Sequence, residues 1–130
     1  MRAALLLLSL AACGQPEAPK AAEPKFAEIS FDELKAAVEA KKAVVIDVNG
    51  TDSFQQGHVP GAIDFEAHKL DLATLLPQDK GALLVAYCGG PQCSAWEEGA
   101  EVASNLGYKQ VKHFRGGIKG WKESNGPIEL

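Results

Sequence analysis

Residues 82–94 read ALLVAYCGGPQCS, and this stretch decides the fold. The six apolar residues at 82–87 have the pattern of a strand that is covered on both faces of a sheet. Cys88 stands at the carboxyl end of that strand, and the glycines and proline after it predict a loop. Acidic residues, followed by apolar residues at helical spacing, then predict a helix over 94–106. A strand, a loop and a helix therefore follow one another here.

The rest of the chain continues this alternation. Ser30 begins a capping box that predicts a helix over 31–40, and the β-branched run at 43–48 predicts a second buried strand. Such an order predicts an α/β fold, with a parallel sheet and helices on both of its faces. Weaker patterns predict a helical turn at 54–56, a strand at 62–65, a helix within 66–76, a last strand at 111–114 and a terminal segment around Trp121.

Composition and charge limit what the chain can be. Its 130 residues are 46% hydrophobic and 23% charged, which is enough apolar material for one globular core. The net charge is -4 at pH 7 and the lysines are scattered, so no nucleic-acid partner is expected. We expect one domain over residues 28–130, preceded by a targeting segment and a tether.

Residues 1–12 have the basic start and short apolar run of a secretory signal peptide, too short to span a bilayer. The small residues before Cys13 resemble the lipobox of bacterial lipoproteins. That resemblance implies that Cys13 carries lipid, palmitate included, and that lipid alone attaches the protein to a membrane, facing the periplasm. Gly14 is not the acidic residue of an inner-membrane retention signal, which favours the outer membrane. The composition of residues 13–27 predicts a flexible tether. The alternative to the lipoprotein interpretation is an ordinary signal peptide in which Cys13 is incidental.

Cys88 is the candidate nucleophile. A glycine-rich loop can curl its N–H groups around the sulfur, and the start of the following helix adds positive potential. Both effects favour the thiolate, which is the form that attacks. In the alternative, Cys88 is a small buried hydrophobic residue without a chemical role.

Three stretches resemble the rhodanese-like family, and the resemblance covers residues 28–124. It implies a sulfurtransferase with no cofactor. Cys88 would take sulfane sulfur from a small thiosulfate-like donor as a persulfide and pass it to cyanide or to a thiol, including a thiol of a partner protein. The stretches are Ile46-Asp47-Val48 with Gly57-His58-Val59-Pro60-Gly61-Ala62-Ile63, Tyr87-Cys88 with its loop into Ser94, and Gly107-Tyr108 with Gly116-Gly117-Ile118 and Trp121.

The resemblance also implies that loop N–H groups hold the charge of the persulfide; Pro91 has none to offer. The candidate donors are the N–H groups of Gly89, Gly90, Gln92, Cys93 and Ser94. Two positions depart from the family pattern, because many members have arginine where this chain has Asn49 and a basic residue where it has Cys93. Poor turnover of an anionic donor is therefore expected.

Cys93 allows a second interpretation of the loop. A thiol close to Cys88 could resolve a persulfide or a sulfenic acid by forming a Cys88–Cys93 disulfide, which would make the domain a thiol redox or binding module. In a third interpretation, Cys93 only packs beneath the loop.

Two other kinds of site fit the sequence poorly. Cysteine phosphatases need an arginine six residues after the nucleophile, and that position is Ser94. A metal site is not expected, because Cys88 and Cys93 have no second Cys or His pair at a ligating spacing. His68 and His113 give no signal beyond that of surface residues.

Three further residues are expected near the site in structural roles. Asp47 is predicted to hold backbone N–H groups of the turn at 57–61, and His58 is predicted to orient the same turn. Arg115 either lies near the active loop or makes a surface ion pair of little energetic value.

Overall fold

The computed structural model of the protein describes Gly14 and residues 24–130. The predicted signal peptide at 1–12, the lipid site at Cys13 and the tether from 15 to 23 lie outside the described residues. Within the described part of the chain, no helix has both the length and the apolar character needed to cross a membrane.

The described residues form a five-stranded sheet in which every pairing is parallel. The strand order is β1-β5-β4-β2-β3. The two apolar runs of the sequence, β2 and β4, lie next to each other inside the sheet, which agrees with their prediction as strands covered on both faces. The strands are β1 (Ala27–Glu28), β2 (Ala43–Asp47), β3 (Ile63–Asp64), β4 (Leu83–Tyr87) and β5 (Gln110–His113).

Helices cover both faces of the sheet, as the alternation predicted. The first core joins β2 and β4 residues such as Ile46 and Leu84 to α3, α4 and α5. The second core joins the opposite face of the same strands to α1 and α6, with Trp121 fully buried. The helices are α1 (Phe31–Glu39), α2 (Thr51–Gln56), α3 (Phe65–His68), α4 (Leu72–Leu75), α5 (Trp96–Asn105) and α6 (Gly117–Glu123).

The domain begins earlier than predicted, because Phe26 and Ala27 belong to the fold and not to the tether. Phe26 is only 8% exposed and packs edge-on against Trp96, with ring centroids 5.9 Å apart. Ala27 pairs with Lys112 of β5. A two-residue strand shows no alternation in the sequence, so only the single aromatic residue of this segment marks the boundary.

Other element bounds shift by a few residues. Helix α2 already begins at Thr51, and α5 begins at Trp96, two residues after the predicted start. The weak pattern at 66–76 corresponds to two four-residue helices, α3 and α4, separated by a turn.

Candidate active site

Cys88 follows the last residue of β4 and is 1% exposed. Its carbonyl oxygen accepts a hydrogen bond from the N–H of Ile118 at 2.9 Å, and the carbonyl of Gly89 accepts one from the N–H of Lys119 at 3.0 Å. Both donors belong to the first turn of α6. The beginning of the loop is therefore fixed by the sheet on one side and by α6 on the other.

Gly117 allows α6 to approach the loop this closely. Its φ is +63°, and a Cβ at this position would lie 2.5 Å from the carbonyl oxygen of Cys88 and 2.6 Å from the backbone nitrogen of Gly90. Those atoms are backbone, so a side chain here would have to displace the loop. Gly117 is thus a condition for the contact that positions Cys88.

Cys93 lies beside Cys88, and the two form a disulfide with Cα atoms 6.2 Å apart. The N–H of Cys93 donates to the carbonyl of Gly90 at 3.1 Å, which closes a turn within the loop. Cys93 is partly exposed, whereas Cys88 is buried. The sequence left the position of Cys93 open, and the structure places its sulfur against that of Cys88.

The other predicted loop donors are free. In the described part of the chain, the N–H groups of Gly89, Gly90, Gln92 and Ser94 donate to no backbone or side-chain acceptor. Pro91 has no N–H, as expected. Unpaired N–H groups in a loop beside a sulfur are available to an anionic ligand.

A cavity of about 250 Å³ lies over the loop and adds a residue that the sequence did not indicate. Lys119 lines this cavity, and its side chain is exposed. Lys119 is the second residue after Gly117, so the turn that brings α6 to the loop also brings this ammonium group. The other residues that line the cavity are Gly89, Gly90, Pro91, Gln92 and Cys93.

A hydrogen-bonded chain beneath the loop connects β2, β4 and the turn at 57–61. The hydroxyl of Tyr87 donates to the Asp47 carboxylate and accepts from the N–H of Val59 at 3.1 Å. Asp47 also accepts from the N–H of Asn49 at 2.9 Å. Asp47 therefore supports the predicted turn through Tyr87 and not by a direct hydrogen bond.

Burial sets the protonation of both members of this chain. Burial raises the pKa of the Asp47 carboxyl, against the opposing effect of the hydrogen bond from Tyr87. Burial and then the nearby charge of Asp47 raise the pKa of the Tyr87 phenol, which stays protonated and can donate. The pair is a structural support, because neither group reaches the cavity over the loop.

His58 holds the turn at 57–61 from its other side. Its Nδ1 lies 2.8 Å from the carbonyl oxygen of Phe54, its ring stacks on the Phe54 ring at 3.6 Å, and its Nε2 lies 3.3 Å from Glu129. The imidazole is buried and has protein partners at both nitrogens. Among the described residues, no group of three or more His, Cys, Asp or Glu side chains is arranged to hold a metal ion.

Arg115 takes the second of its two predicted roles. Its guanidinium lies 3.7 Å from the Glu28 carboxylate, and both side chains are more than half exposed. An exposed pair of this kind contributes at most about 1 kcal/mol. Lys119, and not Arg115, is therefore the cation at the loop.

Residues 30–124 match the family described as the rhodanese-like domain. The chain belongs to this family. Its parallel sheet with helices on both faces agrees with a solved thiosulfate sulfurtransferase from Pseudomonas aeruginosa, at a TM-score of 0.66 and 23% identity over 79% of this chain and 20% of that one.

Two curated relatives place the rhodanese-like domain in different contexts. The thiosulfate sulfurtransferase GlpE of Shewanella oneidensis is 29% identical over 103 residues, which cover 77% of this chain and 96% of that protein. An HTH-type transcriptional regulator of Mycobacterium tuberculosis is 31% identical over 102 residues, which cover 78% of this chain but only 44% of the regulator. The same domain thus forms nearly the whole of one relative and less than half of another.

The departure of this rhodanese-like domain at Asn49 lies directly against the loop. The Asn49 Oδ1 is 3.6 Å from the position that a Cβ of Gly89 would occupy. The Nδ2 of Asn49 is buried and has no hydrogen-bond partner within the described residues. The Asn49 side chain is shorter than the arginine that many members of the family carry at this position. Its amide leaves an unpaired N–H donor next to the loop.

His113 was predicted to be a surface residue, and this prediction is wrong. The imidazole is 7% exposed and stacks on Trp96, with ring centroids 3.6 Å apart and planes 8° apart. Burial lowers the pKa of the His113 imidazole, so the neutral ring is favoured. Because Trp96 is the first residue of α5, this stack fixes the helix that follows the loop.

Proposed function

We propose that this domain is a sulfurtransferase that carries sulfane sulfur as a persulfide on Cys88. The observation that carries the proposal is the position of Cys88, at the carboxyl end of a central parallel strand and inside a loop with unpaired N–H groups. Ligands of open α/β sheets bind at such strand ends. The sulfurtransferase relatives support the same chemistry.

The first half-reaction loads the cysteine. The Cys88 thiolate attacks the sulfane sulfur of a thiosulfate-like donor, the sulfur–sulfur bond of the donor breaks, and sulfite leaves with the electron pair. The N–H groups of the loop stabilise the negative charge of the persulfide. Lys119 supplies the attraction for an anionic donor that a basic residue within the loop would otherwise provide.

The second half-reaction transfers the outer sulfur from Cys88 to an acceptor. Cyanide or a thiolate attacks the outer sulfur of the persulfide, and Cys88 leaves as a thiolate while the acceptor becomes thiocyanate or a persulfide. A thiolate on a small molecule or on a partner protein fits this step. The Cys88–Cys93 disulfide must be reduced before the cycle begins, because a disulfide sulfur is not a nucleophile.

The test is thiocyanate formation from thiosulfate and cyanide by the reduced protein, with Cys88→Ser and Cys93→Ser compared. We expect Cys93→Ser to form thiocyanate and Cys88→Ser to form none. Thiocyanate formation by Cys88→Ser, or its absence in folded Cys93→Ser, would contradict the proposal.

A thiol redox or binding module is the second candidate, and the adjacent cysteines favour it. In this function the dithiol exchanges electrons with thiols of a partner protein and takes up no sulfur. Equilibration with a dithiol buffer would convert the protein between forms that differ by two hydrogens. A protein that gains sulfur from thiosulfate instead would count against this candidate.

We also propose that the domain is anchored by lipid on Cys13 and faces the periplasm, with the outer membrane as its site. The lipobox-like residues before Cys13 support this location. Fractionation of cells that express wild type and Cys13→Ala tests it. Wild type is expected in the membrane fraction and Cys13→Ala outside it; equal distribution of the two would contradict the anchor.

A further inference from the structure

The two cysteines of the loop are arranged for reaction with each other. Their Cα atoms are 6.2 Å apart, which lies within the usual range for disulfides, and their sulfurs are bonded. Cys93 is five positions after Cys88 in the sequence, and the turn from Gly90 to Cys93 brings the chain back on itself. A second sulfur nucleophile therefore lies within reach of Cys88 in the fold.

The two cysteines differ in how they are held. The Cys88 end of the loop is fixed by hydrogen bonds from Ile118 and Lys119, and Cys88 is buried. The N–H of Cys93 bonds only within the loop, its neighbours Gln92 and Ser94 are exposed, and Cys93 itself is partly exposed. Cys93 packs against the edge of the first core, but no hydrogen bond ties it to the sheet or to α6. Cys93 can therefore separate from Cys88 and return without breaking such a bond.

We infer that Cys93 is a resolving thiol that makes this domain release the sulfur of its donor as hydrosulfide. The inference rests on the proposed persulfide at Cys88. The Cys93 thiol gives its proton to the outer sulfur of the anionic Cys88 persulfide as its own sulfur attacks Sγ. The bond between Sγ and the outer sulfur breaks, and the outer sulfur leaves as HS⁻. The product is the Cys88–Cys93 disulfide.

The electrons balance within this sequence. Two electrons from the two cysteines reduce the sulfane sulfur to hydrosulfide, and the cysteines become the disulfide. An external dithiol must then reduce that disulfide, becoming a disulfide itself, before a second donor can react. The domain would therefore couple sulfane sulfur to a dithiol reductant and would stop after one turnover without it.

Proximity favours this step over transfer to an external acceptor. A well-oriented intramolecular nucleophile can have an effective concentration on the order of 10⁵ M or more. Cyanide or free thiols at millimolar concentration compete poorly with such a neighbour. Transfer to an external acceptor then depends on how long Cys93 stays away from the persulfide.

A single-turnover experiment without dithiol tests the inference. Reduced protein freed of reductant is mixed with thiosulfate, and sulfite, hydrosulfide and intact mass are measured. Added dithiol is avoided, since it would itself release hydrosulfide from any persulfide. We expect wild type to release one equivalent each of sulfite and hydrosulfide, at every protein concentration, and to end two hydrogens lighter.

Two variants separate the possible outcomes. Cys93→Ser is expected to release the same sulfite, no hydrosulfide, and to gain one sulfur in mass. Cys13→Ser makes the same chemical change at a cysteine outside the loop and is expected to behave as wild type. If wild type also keeps the sulfur and releases no hydrosulfide, the resolving role is overturned while the sulfurtransferase proposal stands. If no folded version releases sulfite, the proposed function fails, and this inference fails with it.

Discussion

The turn at 57–61, which precedes β3, and the loop at 89–95, which follows β4, are held in opposite ways. The turn at 57–61 is held by side chains: Tyr87 binds the N–H of Val59, and His58 binds Phe54 and Glu129. The loop at 89–95 makes no such side-chain bond in the described residues, and backbone contacts with α6 hold only its beginning. The first loop uses its polar groups for the fold, whereas the second leaves its N–H groups for a ligand.

This difference assigns separate tasks to neighbouring residues. The hydrogen-bonded chain of Asp47, Tyr87 and Val59 is buried and includes the residue of β4 that directly precedes Cys88. Cys93 and Lys119 lie on the accessible side, and in the proposed function they determine which molecule reacts and where its sulfur goes. Substitutions in the buried hydrogen-bonded chain should therefore affect stability, and substitutions of Cys93 or Lys119 should affect reactivity.

The largest effect is expected where α6 touches the loop. Gly117→Ala places a Cβ against the backbone of Cys88 and Gly90 at a positive φ. We expect a loss of about 3 kcal/mol of unfolding free energy and a roughly 100-fold slower sulfite release from thiosulfate. Urea unfolding measures the change in stability, and sulfite assays of samples quenched at set times measure the change in rate.

Gly120→Ala is the matched control, because nothing lies within 4 Å of its Cβ position in the same helix. It should stay within about 1 kcal/mol of wild type, on the stabilising side. If Gly117→Ala behaves like Gly120→Ala, the contact between α6 and the loop does not position Cys88.

The next largest effect is expected at the hydrogen-bonded chain of Asp47, Tyr87 and Val59. Tyr87→Phe removes the hydroxyl between Asp47 and Val59 and leaves two buried polar groups with one partner fewer. A loss of about 1–3 kcal/mol of unfolding free energy is expected from each unsatisfied group. Urea unfolding at pH 7 gives the value.

Tyr108→Phe serves for comparison, since it removes a single hydrogen bond to the carbonyl of Pro77 in a less buried place. Its cost should be near 1 kcal/mol. Equal losses of unfolding free energy in the two variants would mean that the hydrogen bonds of Tyr87 stabilise the fold no more than the hydrogen bond of Tyr108 does.

A smaller effect is expected from pH. Because burial lowers the pKa of His113, the unfolded chain takes up a proton on this residue at a higher pH than the folded protein does. The stabilisation from neutral His113 is complete above about pH 6.5 and is lost as the pH falls towards the lowered value. This single proton limits the slope to about 1.4 kcal/mol per pH unit.

His113→Gln should flatten the fall in unfolding free energy between pH 7 and 5 relative to wild type. Unfolding curves at matched pH values give the difference between the two proteins. A parallel pH dependence in both would show that the burial of His113 does not contribute to the pH dependence of stability.

The smallest effect is expected at the exposed cation. Lys119→Met removes the charge beside the cavity and should raise KM for thiosulfate by up to about fivefold, with kcat little changed. Added salt should reduce the difference. Lys109→Met, just before β5 and at the opposite end of the sheet, should leave KM unchanged. A lower kcat with normal KM in Lys119→Met would instead place this residue in the chemical step.

The sequence predicted the parts of the fold that depend on local pattern. Continuous β-branched or apolar runs identify β2 and β4, and the cysteine at the end of β4 marks the loop. Residues brought together by distant contacts were missed. Lys119 is brought to the loop by the turn at Gly117, and the ring of Trp96 stacks on His113, which lies in β5 between β1 and β4. Strand β1 was not predicted, because a strand of only two residues shows no periodicity in the sequence.

The most direct test of the central claim is the intact mass of Cys93→Ser after reaction with thiosulfate, followed by peptide mapping. Without a resolving thiol, the persulfide should persist. The account predicts a gain of one sulfur on the peptide that contains Cys88 and its removal by cyanide as thiocyanate. A folded protein that gains no sulfur, or that carries it away from Cys88, would contradict the account.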